Sequence, residues 1–142
     1  MPGATRSIVI NAAPEKVFDV VSAYEKYPEF MKEVKEVKTS NRKGNQVDVH
    51  YKVDLMKSIK YSLRMTEERP SRVTWTFIEG EFMKDNKGSW VLEAAGEGQT
   101  KATYTIEMAL GPLIPKSIVN AMVETQLPKM LEDVKRRAES TK

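Results

Sequence analysis

Residues 112–137 read PLIPKSIVNAMVETQLPKMLEDVKRR. Apolar side chains recur at Ile118, Val119, Met122, Val123, Leu127, Met130, Leu131 and Val134. That 3.6-residue rhythm predicts one long amphipathic helix. From 116 to 138 it would run roughly 35 Å at 1.5 Å per residue, about the width of a small domain. Pro128 lies inside the pattern and removes a backbone donor. Either the helix bends there, or one helix ends near Thr125 and another starts at Pro128. Lys135, Arg136 and Arg137 stand where cations complement the helix dipole.

Working outward, most of the preceding chain alternates with period two. Val47, Val49, Tyr51, Val53 and Leu55 alternate with polar residues, and so do Ile59, Tyr61, Leu63 and Met65. The same holds for Val73, Trp75 and Phe77, for Trp90 and Leu92, and for Ala102, Tyr104, Ile106 and Met108. These patterns predict half-buried antiparallel strands. With a less regular strand at 34–40 they make six in succession. Turn-forming residues at 41–45, 69–71, 85–88 and 96–98 suit hairpin connections. Near the start, Ile8, Val9 and Ile10 form a first short strand. Pro14 and Glu15 then open a short helix with Val17, Phe18, Val20 and Val21 on its buried stripe. YEKYPEFM at 24–31 is a second helical piece, interrupted at Pro28.

The predicted fold class is α+β: a curved seven-stranded antiparallel sheet wrapped around a long C-terminal helix, with two short helices after the first strand. The order and spacing resemble the helix-grip fold of the START-like (SRPBCC) superfamily, which includes the birch-pollen-allergen proteins. Three stretches look closer to its polyketide cyclase/dehydrase and coenzyme-Q-binding branch. They are IVINAAPEKVFDVVSAYEKYPEFM at 8–31, WTFIEGEFMKDNKGSWVLE at 75–93 and IVNAMVETQLPKMLEDVKRRAE at 118–139. The resemblance implies a cavity between sheet and helix that binds a hydrophobic small molecule or lipid, such as a polyprenyl quinone, for transport or presentation. It also leaves open a cyclase/dehydrase-like enzyme and, through a ribosome-associated branch, a protein-interaction module.

Parity separates the two ends of such a meander. The links at 41–45, 67–69 and 96–99 share one end and are polar. The other end gathers Phe30, Met31, Leu55, Met56, Phe82, Met83, Leu113 and Ile114. Connections normally run over the surface and are polar. An apolar cluster there reads as the mouth of a cavity or as a patch that meets a partner; the alternative is that these tips pack on one another. Lys32, Lys57, Lys84 and Lys116 beside them suit transient contact with an anionic membrane surface.

The expected cavity wall combines Tyr51, Tyr61, Leu63, Met65, Trp75, Phe77, Trp90, Tyr104 and Met108 from the sheet with Ile118, Met122 and Met130 from the helix. Amphipathic aromatics and methionines suit a largely apolar ligand with one polar end. The competing reading is a solid core with tyrosine hydroxyls at its edge. Glu79 and Glu81 continue the inward parity of Trp75 and Phe77 to the strand end, where one would reach the mouth. His50 is the only histidine and shares an outer face with Asp48, Lys52 and Asp54. No catalytic residue, metal site or cofactor is expected, and no nucleophile elbow, P-loop or dinucleotide fingerprint occurs.

The chain has 142 residues, 40% of them apolar, which fits one ligand-binding domain over 1–142 with a real core. Its 23 basic and 20 acidic residues interleave, so the net charge of +3 predicts no nucleic-acid partner; ribosome association stays open through the resemblance. There is no cysteine, which excludes disulfides and a thiol nucleophile. Without an apolar leader or a run of ~20 apolar residues, the expectation is a soluble, cytoplasmic protein that can sit peripherally at a membrane.

Overall fold

The computed structural model describes residues 3–54, 58–112 and 114–140, without the side chains of Met122 and Val123. Strand β1 (Gly3–Ile10) leads into helix α1 (Pro14–Ser22) and a 3-10 helix (Tyr24–Glu29). Then follow β2 (Val34–Lys43), β3 (Gln46–Asp54), β4 (Ser58–Glu68), β5 (Arg72–Gly80), β6 (Met83–Gly96) and β7 (Gln99–Leu110). The seven strands form one antiparallel sheet in the order β1-β7-β6-β5-β4-β3-β2.

Period-two alternation decides which face is buried. Val47, Val49, Tyr51 and Val53 of β3 point inward, opposite Met65, Leu63, Tyr61 and Ile59 of β4. Pro14 stands in the first turn of α1, where its missing N–H costs nothing. Val17, Phe18, Val20 and Val21 form the buried stripe of α1, which packs against the C-terminal helix. Ile10, Val73, Ala102, Val134 and Ala138 join that stripe in the solid part of the core.

The expected long C-terminal helix runs unbroken from Lys116 to Ser140 in three segments: α2 (Lys116–Ala121), a π-helical turn (Met122–Gln126) and α3 (Leu127–Ser140). Pro128 is the second residue of α3. It can give no hydrogen bond to the carbonyl of Glu124, and its ring presses on that carbonyl in a regular helix. A wider turn immediately upstream takes up the misfit. Beyond it, Leu127, Leu131, Val134 and Ala138 keep the helical spacing and are buried. Helix α3 packs on β1 and α1.

Two features of β5 and β6 also depart from the sequence reading. Residues 85–88 are not a hairpin connection: they lie within β6, and the turn is Glu81–Phe82, with Phe82 at φ 57°. In the β4–β5 ladder Ser62 pairs with Glu79 and Leu63 with Phe77, so Ile78 is an extra, bulged residue. The β5–β6 ladder itself is short. It runs from Arg72–Val91 to Trp75–Gly88 and stops. Past that point β5 pairs only with β4, and β6 only with β7.

Candidate ligand cavity

A cavity of about 210 Å³ lies between the inner face of the sheet and the C-terminal helix. It exceeds the ~150 Å³ that accommodates benzene in an engineered apolar core, so the interior is not solidly filled. Its wall is largely aromatic and sulfur-bearing because inward positions of β3 to β7 carry Tyr51, Tyr61, Met65, Trp75, Trp90, Tyr104 and Met108.

The rings form two groups. Tyr51 and Tyr61 stack at 5.0 Å between centroids, with Tyr27 6.5 Å from Tyr51. Tyr104 meets Trp90 edge-on at 4.9 Å and Trp75 at 5.3 Å. Such arrangements hold each ring in one orientation and keep the wall rigid.

Few polar groups face this space. The Trp75 indole N–H donates to Asn86 Oδ1 at 3.0 Å, so Asn86, 3% exposed, is satisfied on that side. The bond crosses from β5 to β6 where their backbone ladder has ended. The Tyr27 hydroxyl donates to the carbonyl of Val21. Burial pushes the phenols of Tyr27, Tyr51, Tyr61 and Tyr104 well above the ordinary tyrosine range, so all four stay neutral at physiological pH. Glu33 also lines the cavity and pairs with Lys129 of α3. Burial is the largest single influence and works against its ionisation, but the hydrogen bond from Lys129, a backbone hydrogen bond and the charges of Lys129 and Lys32 together outweigh it and hold the carboxyl below the usual range. Gln126, at the end of the π-helical turn, lines the cavity as well, and its Oε1 is buried with no hydrogen-bond partner among the described residues.

Of the wall residues expected from sequence, Tyr51, Tyr61, Leu63, Met65, Trp75, Trp90, Tyr104, Met108, Ile118 and Met130 lie around the cavity. Phe77 does not. The chain bulges at Ile78 directly after it, and its ring edge lies against Gly80, 3.2 Å from where a Cβ would stand. The side chain of Met122 is outside the described residues. Of the mouth residues, Met31, Met83 and Ile114 reach the cavity. Phe30 turns aside, packing on Tyr27 under the Arg137 guanidinium at 5.1 Å. Phe82 is taken up in the β5–β6 turn, where its carbonyl accepts from the Gly111 N–H at 2.9 Å. Leu55, Met56 and Leu113 lie outside the described residues, as does Lys57.

Glu79 and Glu81 do not approach the cavity. The bulge at Ile78 reverses the parity on which that reading rested. Glu79 comes opposite Ser62, and both acids border an open, polar groove on the outer face, with Lys38, Lys60 and His50. Glu81 Oε1 accepts from the Lys60 backbone N–H at 3.0 Å. His50 sits outside, 2.7 Å from both Ser40 Oγ and Ser62 Oγ. Among the described residues no cluster of three or more His, Asp or Glu could hold a metal ion, and no helix is long and apolar enough to cross a membrane.

Sequence reasoning missed Tyr27, Glu33, Asn86 and Gln126. Asn86 was hidden by turn-like neighbours. Gln126 had a usable signal: it lies four residues before Met130 and eight after Ile118, on the inner stripe of the helix.

A seven-stranded antiparallel sheet gripping a C-terminal helix around an internal cavity is the START-like, helix-grip architecture. A family model described as polyketide cyclase/dehydrase and lipid transport matches residues 1–139. The chain belongs to that family. No curated protein of established function matches the sequence. Among solved structures, the Zhui aromatase/cyclase from Streptomyces sp. R1128 superposes with a TM-score of 0.88 at 15% identity, over 97% of this chain and 93% of that one. A START superfamily protein from Mycobacterium smegmatis gives 0.87 at 14% identity over 99% of both chains. A STAR-related lipid transfer protein from Xanthomonas axonopodis gives 0.76 at 14% identity, over 96% of this chain and 85% of that one. At these identities the likeness concerns the fold.

Proposed function

We propose that the protein binds a hydrophobic small molecule or the ring-bearing end of a lipid in the cavity between sheet and helix, and carries or presents it. The observation that carries this reading is an unfilled cavity of about 210 Å³ walled by aromatic and methionine side chains. Its size suits a ring-sized group. A polyprenyl quinone would lodge its head there and leave most of its tail outside. Met31, Met83 and Ile114 at the apolar end, with Lys32, Lys84 and Lys116 nearby in sequence, suit collection of such a molecule at an anionic membrane surface.

A cyclase/dehydrase-like activity is the second reading, favoured by the family and by the likeness to an aromatase/cyclase. Proton transfer inside this cavity would fall to the tyrosine hydroxyls and Glu33. Native mass spectrometry of the purified protein, followed by solvent extraction, tests the leading reading. A co-purifying apolar species, released by solvent and taken up again unchanged, is the expected result. Repeated preparations free of any bound molecule, with no uptake of added small aromatics, would overturn it. Conversion of the bound species on re-addition would favour the enzyme.

A further inference from the structure

Gln126 is a polar residue on an otherwise apolar stripe. Ile118 precedes it on α2, and Leu127 and Met130 follow on α3; all three line the cavity with it. Its Oε1 is buried and receives no hydrogen bond from any described residue. An unpaired acceptor in apolar surroundings is unfavourable, and proteins keep few of them. A leucine or methionine here would complete the wall at no such cost. The Trp75 indole is committed to Asn86, the Tyr27 hydroxyl to Val21 and Lys129 to Glu33. The residue also sits where the backbone departs from a regular helix, and such π-helical turns recur at functional sites.

On the reading that the cavity holds a ligand, we infer that the Gln126 amide oxygen accepts a hydrogen bond from a hydroxyl or N–H of that ligand. The cavity then selects amphipathic, ring-sized alcohols and phenols over molecules of the same shape that lack a donor. A hydroquinone or a hydroxylated ring would satisfy Gln126. A fully oxidised quinone ring without a hydroxyl or N–H would leave it unpaired. The hydroxyls of Tyr51, Tyr61 and Tyr104 remain to meet the ligand's acceptor oxygens.

Two probes of nearly equal shape test this: 1-naphthol, which has a donor, and 1-methoxynaphthalene, which has none. Calorimetric titration of the wild-type chain should give about tenfold tighter binding of 1-naphthol, the scale of leaving a buried acceptor unpaired. In Gln126→Leu the naphthol advantage should vanish while 1-methoxynaphthalene binds as well as before or better. Equal affinity of wild type for the two probes would overturn the inference and leave the cavity reading standing. A naphthol preference that survives Gln126→Leu would do the same, by placing the selective acceptor elsewhere. Failure of both probes to bind wild type would overturn both readings. If Gln126→Leu does not fold, Gln126→Met, which keeps the unbranched side chain, takes its place in the same comparison.

Discussion

A Cβ on Gly88 would stand 2.6 Å from Cζ2 of the Trp75 indole, its cross-strand partner, and 2.1 Å from the carbonyl oxygen of Thr105. Only a residue without a side chain lets the indole lie flat over β6 and form the cavity wall. Gly88→Ala should therefore destabilise the fold by about 1–3 kcal/mol, because the carbonyl is backbone and cannot give way. Urea unfolding followed by circular dichroism measures this. A loss below 0.5 kcal/mol, roughly the noise of surface substitutions, would show that the contact is not tight.

Trp75 contributes packing and one hydrogen bond, and two substitutions separate them. Trp75→Phe keeps a ring but strands Asn86 Oδ1, so it should cost about 1–3 kcal/mol. Trp75→Ala also empties the wall and should cost about 3–5 kcal/mol. Adding Asn86→Leu to Trp75→Phe should recover part of the first loss. If the double variant is no more stable than Trp75→Phe, the hydrogen bond is not what the single substitution removed.

The succession of seven strands, the two short helices and most of the wall were legible in the sequence because alternation is a strict code: a strand residue faces in or out; the place of β1 beside β7 was not, since no local pattern encodes it. The code fails wherever the count slips by one. A single bulged residue, Ile78, sent Glu79 outward and moved Glu81 from the mouth to the outer groove. Asn86 was unreadable for a different reason. Asp, Asn, Lys and Gly in a row carry every local mark of a turn, and only pairing with β7 makes them strand. The helix irregularity was visible in Pro128, but its form, a widened turn ahead of the proline, depends on backbone geometry that composition does not encode.

Filling the cavity should separate binding from folding. Met130 lines it and is only partly buried, so Met130→Trp should abolish uptake of 1-naphthol while unfolding remains cooperative, with a stability change of at most about 1–3 kcal/mol. Both measurements use one sample, by calorimetry and thermal melt. A variant that cannot fold would show that α3 packs on a solid core at this point.

Acid should loosen the grip on the helix. Against burial, its largest single influence, Glu33 is held below its ordinary range by its bond to Lys129 together with a backbone hydrogen bond and the charges of Lys129 and Lys32, and Asp48 is held low by hydrogen bonds from Arg64 and Asn41. A carboxylate with a depressed folded value stabilises fully above its unfolded value, ~4, and loses that contribution as pH falls through the folded one. Stability should be flat around neutrality on this account and decline below about pH 4. Asp133 is raised by burial, which exceeds the pull of Arg136, so it titrates in the opposite sense and offsets part of the decline. Lys129→Ala should make the acid slope shallower. An unchanged slope would mean that the Glu33–Lys129 pair does not survive in solution.

The unfinished ladder between β5 and β6 bears on the size of molecule the protein can hold. Past Trp75 and Gly88 the wall consists of two leaves, β2–β5 on one side and β6, β7 and β1 on the other, with an unpaired slit between them that is bounded by the zipped half of their common edge and by the Glu81–Phe82 turn. Parting the free half breaks no backbone pairing between them. It breaks the Trp75–Asn86 bond, worth about 1 kcal/mol net, and loosens the ring contact between Trp75 and Tyr104. The resting volume is therefore a lower bound on what fits. A guest somewhat larger than a single ring can be admitted by spreading the leaves, with every strand remaining paired to one neighbour.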